Sequence, residues 1–122
     1  MKNELLLTQD GSHSLISKEF GVSYHSKYGA IQESMHVFIE MGLAALPPEK
    51  TDISVLEMGL GTGLNALLTA LNQGKRSFRY VGLEAEPISL GKLDELNYVS
   101  SLGETASKDL LQAIHQCHRI PP

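Results

Sequence analysis

Three glycines at every second position, Gly59, Gly61 and Gly63, join two apolar segments in "LEMGLGTGLN", Leu56 to Asn65. The segment before them, "ISVLEM" from Ile53 to Met58, is short and partly β-branched, and it reads as a buried strand of the parallel type. The segment after them, "LNALLTALNQ", has helical spacing, with Gly74 as its stop. "FRYVGLE", Phe78 to Glu84, is a second strand ending on an acid. Strand, glycine turn, helix and strand make a βαβ unit with parallel strands. A glycine turn at a helix start exposes unpaired N–H groups and admits a ligand close to the backbone. The bland alternative is a turn that only packs.

The spacing narrows the ligand. Glu57-x-Gly59-x-Gly61-x-Gly63 is not the dinucleotide G-x-G-x-x-G, because its third glycine comes one residue early. It is not a P-loop, because no Gly-Lys-Ser/Thr follows. Glu84 lies about 20 residues past the turn at a strand end, where an acid reaches ribose hydroxyls.

The flanks are read from local pattern. Asp10-Gly11 between short apolar runs predicts a hairpin. Ile31, Met35, Phe38 and Met41 predict a helix ended before Pro47-Pro48. Pro87 opens a helix carrying Ile88, Leu93, Leu96 and Val99, weakened at Gly91. Ser101 to Glu104 fits a capping box before a last helix with Leu110, Leu111, Ile114 and Cys117.

With 122 residues, one small domain is expected. A net charge of -4 argues against a broadly basic nucleic-acid surface, although a few local cations suffice for phosphate. One cysteine excludes an internal disulfide, and no apolar run has membrane-spanning length, so a cytoplasmic protein is expected.

"VLEMGLGTGLN" followed by "YVGLE" resembles the first two motifs of Rossmann-type S-adenosylmethionine-dependent methyltransferases. The upstream marks are more specific: Asp10-Gly11-Ser12, Tyr24-His25-Ser26, Gly29-Ala30, Glu33-Ser34, His36-Val37-Phe38 and Gly61-Thr62-Gly63-Leu64-Asn65. From about Leu6 to about Tyr98 the chain resembles the tRNA 5-methylaminomethyl-2-thiouridine methyltransferase family, which occurs alone or fused to a flavin-dependent oxidase. The resemblance implies S-adenosylmethionine as cofactor, held by Glu57, Gly59, Gly61, Thr62, Gly63, Asn65 and Glu84. It implies a tRNA substrate, met in a pocket built with Tyr24, His25, Glu33 and His36. The expected fold is α/β, the N-terminal half of a Rossmann-like methyltransferase, with a hairpin and helix in residues 1–50 and the βαβ half in 51–122.

The reaction needs a neutral amine and hence a positioned carboxylate. The family's acid sits in a "DAF-x-P" type segment that these residues lack, so the chain reads as part of a domain, inactive by itself. Glu33 is the remaining candidate, since Glu57 is expected behind the turn and Glu84 on ribose. A bare strand edge predicts self-association. An NAD-type module and a non-catalytic binding protein are the competing readings.

Four patterns have bland counterparts. Glu33-x-x-His36 with Glu40 has no second copy for a metal site. His115-x-Cys117-His118 has no partner pair at zinc spacing and reads as an ordinary helix face with one buried thiol. Tyr24 to Ser26 also reads as a packing tyrosine and a Ser26 helix cap. Lys75, Arg76 and Arg79 read as a solvated loop, or as phosphate contacts.

Overall fold

A computed structural model describes residues 3–17, 21–24, 29–102 and 108–116. The hairpin expected at Asp10-Gly11 is present. Strands β1 (Asn3–Leu7) and β2 (His13–Ser17) pair antiparallel from Asn3↔Ser17 to Leu7↔His13. A two-residue strand β3 (Val22–Ser23), not expected from the sequence, adds to β2.

Helix α1 (Ala30–Glu33) runs directly into a π-helical segment, Ser34–Glu40. The wider turn appears in the Met41 N–H bond to His36 O, five residues back. It also appears in burial, for Ser34 and Ile39 are both buried at that spacing. The extra residue per turn rotates Met41 out of the face predicted for it, and Met41 is exposed.

The start of α1 is capped from a distance. Its N-cap position, Gly29, offers no side chain. The hairpin loop supplies the acceptors instead: Thr8 Oγ1 for Ala30 N–H (3.1 Å), Ser12 Oγ for Ile31 N–H (3.1 Å) and Asp10 Oδ2 for Gln32 N–H (2.9 Å). Three of the four orphan donors of a helix start are thereby satisfied, beside a carboxylate that suits the positive end of the helix. The Ser26 of the capping alternative lies outside the described residues.

The βαβ unit is present as read. Strands β4 (Asp52–Met58) and β5 (Ser77–Leu83) are parallel, in register from Asp52↔Ser77 to Met58↔Leu83. Helix α2 (Leu64–Leu71) connects them, ending before Asn72, while Gly74 serves the turn beyond it at φ +59°. The chain folds as the N-terminal part of a Rossmann-like α/β fold, a two-stranded parallel sheet with helices. One correction concerns the strand interior. Burial alternates: Ile53, Val55 and Glu57 turn inward, while Leu56, Met58, Val81 and Leu83 stand exposed on the other face. A strand reads as fully buried only when helices cover both faces.

The predicted helix after Pro87 is two helices. Ser89 is the actual cap, its Oγ accepting from Lys92 N–H at 3.1 Å, and α3 is Leu90–Glu95. Leu96 is extended, which separates α4 (Tyr98–Leu102). Helix α5 is Lys108–Gln116. The expected capping box at Ser101–Glu104 ends outside the described residues. Leu15, Ala30, Ile39, Leu64, Leu67, Leu68, Ile88, Leu93, Leu96, Tyr98 and Leu111 form one core, so hairpin, α1 and βαβ unit pack as a single body. Arg76 ties the stretch after the π-helical segment to this body by donating to Leu43 O, Leu46 O and Pro47 O, rather than lying in a solvated loop.

Candidate functional site

The glycine turn hangs from the end of β5. Gly59 and Leu60 N–H both bond Leu83 O, and Gly61 N–H bonds Glu84 Oε1 at 2.7 Å. Glu84 Oε2 also accepts from Glu86 N–H at 3.2 Å. The acid at the strand end therefore holds the turn itself.

The turn has two sides. On the front, Gly59 at φ +86° leaves open space where a Cβ would stand, with nothing within 4 Å. Beside it the ring of Tyr24 packs against Gly61, 3.1 Å from the position of a Cβ there. On the back, Thr62 is fully buried. Its Oγ1 accepts from the Tyr98 hydroxyl at 3.1 Å, and its carbonyl lies 2.7 Å from His115 Nε2. A Cβ on Gly63 would stand 2.7 Å from that same nitrogen. Gly63 thus serves close packing on α5 and faces away from the front.

In front of the turn lies a cleft of about 440 Å³, lined by Tyr24, Glu33, Ser34, Val37, Phe38, Glu57, Gly59, Leu60, Gly61 and Asn65. Cavities that hold small molecules begin near ~300 Å³. One wall is a hydrogen-bonded chain. Glu57 Oε1 accepts from the Tyr80 hydroxyl (2.8 Å) and Oε2 from Asn65 Nδ2 (2.7 Å), while the Tyr80 ring lies 6.5 Å from that of Phe38. Burial pushes the Glu57 carboxyl above its usual range and nearby Glu84 adds to this, against the two hydrogen bonds. Burial and the Glu57 carboxylate push the Tyr80 hydroxyl upward, so it stays protonated as a donor. Asn65 Oδ1 is a buried acceptor with no partner.

Among the sequence candidates, Tyr24, Glu33, Glu57, Gly59, Gly61 and Asn65 meet in this cleft. Glu57 was expected behind the turn. It stands in the cleft because residue 57 belongs to the inward-facing set of β4. Thr62 and Gly63 back the turn and Glu84 anchors its tip. His36 is outside the lining and exposed, 3.6 Å from Glu40 one turn on, because the π turn carries it outward. His25, Cys117 and His118 lie outside the described residues.

Two residues that the sequence reading passed over matter here. His115 appeared only as a weak metal pattern and Tyr98 only as the end of the resemblance, yet both are buried against Thr62. The one sequence signal for them was polar side chains inside otherwise apolar helical faces.

No family model matches the chain. The chain is 39% identical over 66 residues to the "tRNA 5-methylaminomethyl-2-thiouridine biosynthesis bifunctional protein MnmC" of Burkholderia multivorans, covering 53% of this chain and 10% of that protein. It is 35% identical over 79 residues to the protein of the same name from Delftia acidovorans, covering 60% and 12%. Among solved structures, MnmC2 from Aquifex aeolicus superposes with a TM-score of 0.60 at 31% identity, covering 72% of this chain and 31% of that one. The chain thus spans about a tenth of the curated proteins it matches and about a third of the solved one. The resemblance read from the sequence is borne out over that stretch, where the chain is similar to the MnmC proteins.

Proposed function

We propose that this chain is the cofactor-binding part of an S-adenosylmethionine-dependent methyltransferase acting on the aminomethyl nitrogen of a modified wobble uridine in tRNA. The proposal includes a cytoplasmic setting, a flavin-dependent oxidoreductase as fused or separate partner, and a division into an N-terminal extension (residues 1–50) and a βαβ half (residues 51–122). The observation that carries the reading is the open front of Gly59 over a cleft lined by two carboxylates, with a third at the strand end. The names and the similarity of the MnmC proteins support the same chemistry.

The residues fit this group. A sulfonium and an ammonium are cationic, and Glu33 and Glu57 face the cleft with carboxylates. The buried Asn65 Oδ1 lacks a donor, which an ammonium could supply after a small shift. Glu84 donates nothing and keeps lone pairs beyond its two backbone bonds, enough for ribose hydroxyls. When bound, the cofactor supplies an electrophilic methyl group. The chain's part is to orient it, and Glu33 is the candidate to hold the substrate amine.

Calorimetry with S-adenosylmethionine and NAD tests the cofactor. Binding of the first without the second is expected, and the reverse would overturn the reading. Glu84→Ala is expected to weaken S-adenosylmethionine binding about tenfold or more, since a bond to a charged group contributes roughly 1.5–3 kcal/mol. Because this change also releases Gly61 N–H, a 2′-deoxy analogue is needed as well. It should lose less in the variant than in the parent, and equal losses would remove Glu84 from the ribose. A protein of these 122 residues is expected to transfer methyl at least ~10²-fold more slowly than a full-length relative, the typical effect of a missing general base. A radiolabel assay showing turnover within tenfold of that relative would contradict this.

A further inference from the structure

The glycine turn is held at its front edge by Glu84, and this alone does not fix the peptide between Thr62 and Gly63. That peptide is gripped from behind. A carbonyl oxygen only accepts, so His115 Nε2 carries the proton of its 2.7 Å bond to Thr62 O. The Tyr98 hydroxyl donates to Thr62 Oγ1 at 3.1 Å, and burial holds that hydroxyl protonated. Tyr98 and Thr62 are fully buried and His115 nearly so, which makes these bonds hard to replace by water. The two donors come from different helices, α4 and α5, and converge on one residue of the turn. Gly63 has no side chain there and sits against the His115 ring, so the contact leaves the turn little room to move backward.

We propose that Tyr98 and His115 are positioning residues that lock the back of the glycine turn and thereby preorganise its front for the cofactor. This rests on the cofactor reading above. A turn fixed before binding need not be ordered by the ligand, so loss of either donor lowers affinity without removing any ligand contact.

The test has a readout independent of any ligand. Amide hydrogen exchange is followed at Gly59, Leu60, Gly61 and Gly63, each of which donates a backbone hydrogen bond, and at the β4 and β5 amides as internal reference. His115→Ala and Tyr98→Phe should each speed exchange in the turn about fivefold to tenfold relative to the strands. His115→Gln keeps an N–H donor of similar reach and should restore most of the protection. S-adenosylhomocysteine affinity, by calorimetry, should fall and recover in the same order. Exchange that rises equally in turn and strands would mean general destabilisation and overturn the proposal. So would an unchanged turn, or a Gln variant that behaves as Ala. If His115→Ala does not fold, Tyr98→Phe, which removes a single hydroxyl, carries the test. Failure of the parent to bind S-adenosylhomocysteine would instead count against the cofactor reading, and the exchange result would still decide the role of the two donors.

Discussion

Asp10 and Glu57 are two carboxylates whose environments push them in opposite directions. At Asp10, burial raises the carboxyl, but hydrogen bonds from Ser12, Gln32 and Thr8 outweigh it and the net shift is downward. The folded state therefore binds this proton less readily than the unfolded chain. The contribution is complete above the ordinary value of 3.8 and is lost as pH falls through the lowered one. Asp10→Asn should lower the melting temperature at pH 7, and the gap to the parent should close as pH falls below about 4. A gap independent of pH would mean that the charge contributes nothing. Glu57 is raised, so its ionised form costs stability above the window between its ordinary and raised values. Glu57→Gln keeps an oxygen to accept from Asn65, while its NH2 donates to the Tyr80 hydroxyl, which turns from donor to acceptor. It should raise the melting temperature by a few degrees at pH 7 and weaken S-adenosylmethionine binding about fivefold or more. Melting and calorimetry on one sample check both halves. The Glu57 pairing was visible in the sequence only as a motif acid, because Tyr80 and Asn65 reach it across strand and helix.

At the scale of elements, the glycines of the turn are not equivalent. Gly59→Ala meets no neighbour and should cost only the left-handed backbone penalty, about 1–2 kcal/mol. Gly63→Ala adds a clash with His115 and should cost about 2–5 kcal/mol in urea unfolding. Equal costs would argue that α5 moves aside. The hairpin, both parallel strands and the turn between them were legible because their signals are local, an Asp-Gly pair, short apolar runs and a run of glycines. The π segment after Glu33 was not, since sequence periodicity assumes 3.6 residues per turn and Ser34–Glu40 winds more widely, with a bond that reaches five residues back. The helix break at Leu96 was hidden in the same way, as Leu93, Leu96 and Val99 keep helical spacing across it. The cleft was legible as a list of residues but not as a shape. Glu57 and His36 exchanged their expected places because each lies where strand alternation or the π turn decides the direction.

For the whole molecule, one face of the sheet decides behaviour in solution. Leu56, Met58, Val81 and Leu83 are exposed together there, and β4 is paired only with β5 among the described strands. An apolar face beside an open strand edge recruits other chains. The 122-residue protein should self-associate in light scattering, and Leu56→Lys with Met58→Lys should return it to a monomer without lowering its melting temperature. A parent that stays monomeric at high concentration would contradict this. Among the described residues no helix is long and apolar enough to cross a membrane. The cap of α1 has a consequence of another kind. Its acceptors, Thr8, Asp10 and Ser12, precede the helix by about twenty positions. A growing chain releases those groups first, and the hairpin that carries them can close before the helix exists. The helix then begins on a template already made, while the same residues excised as a peptide would begin on nothing.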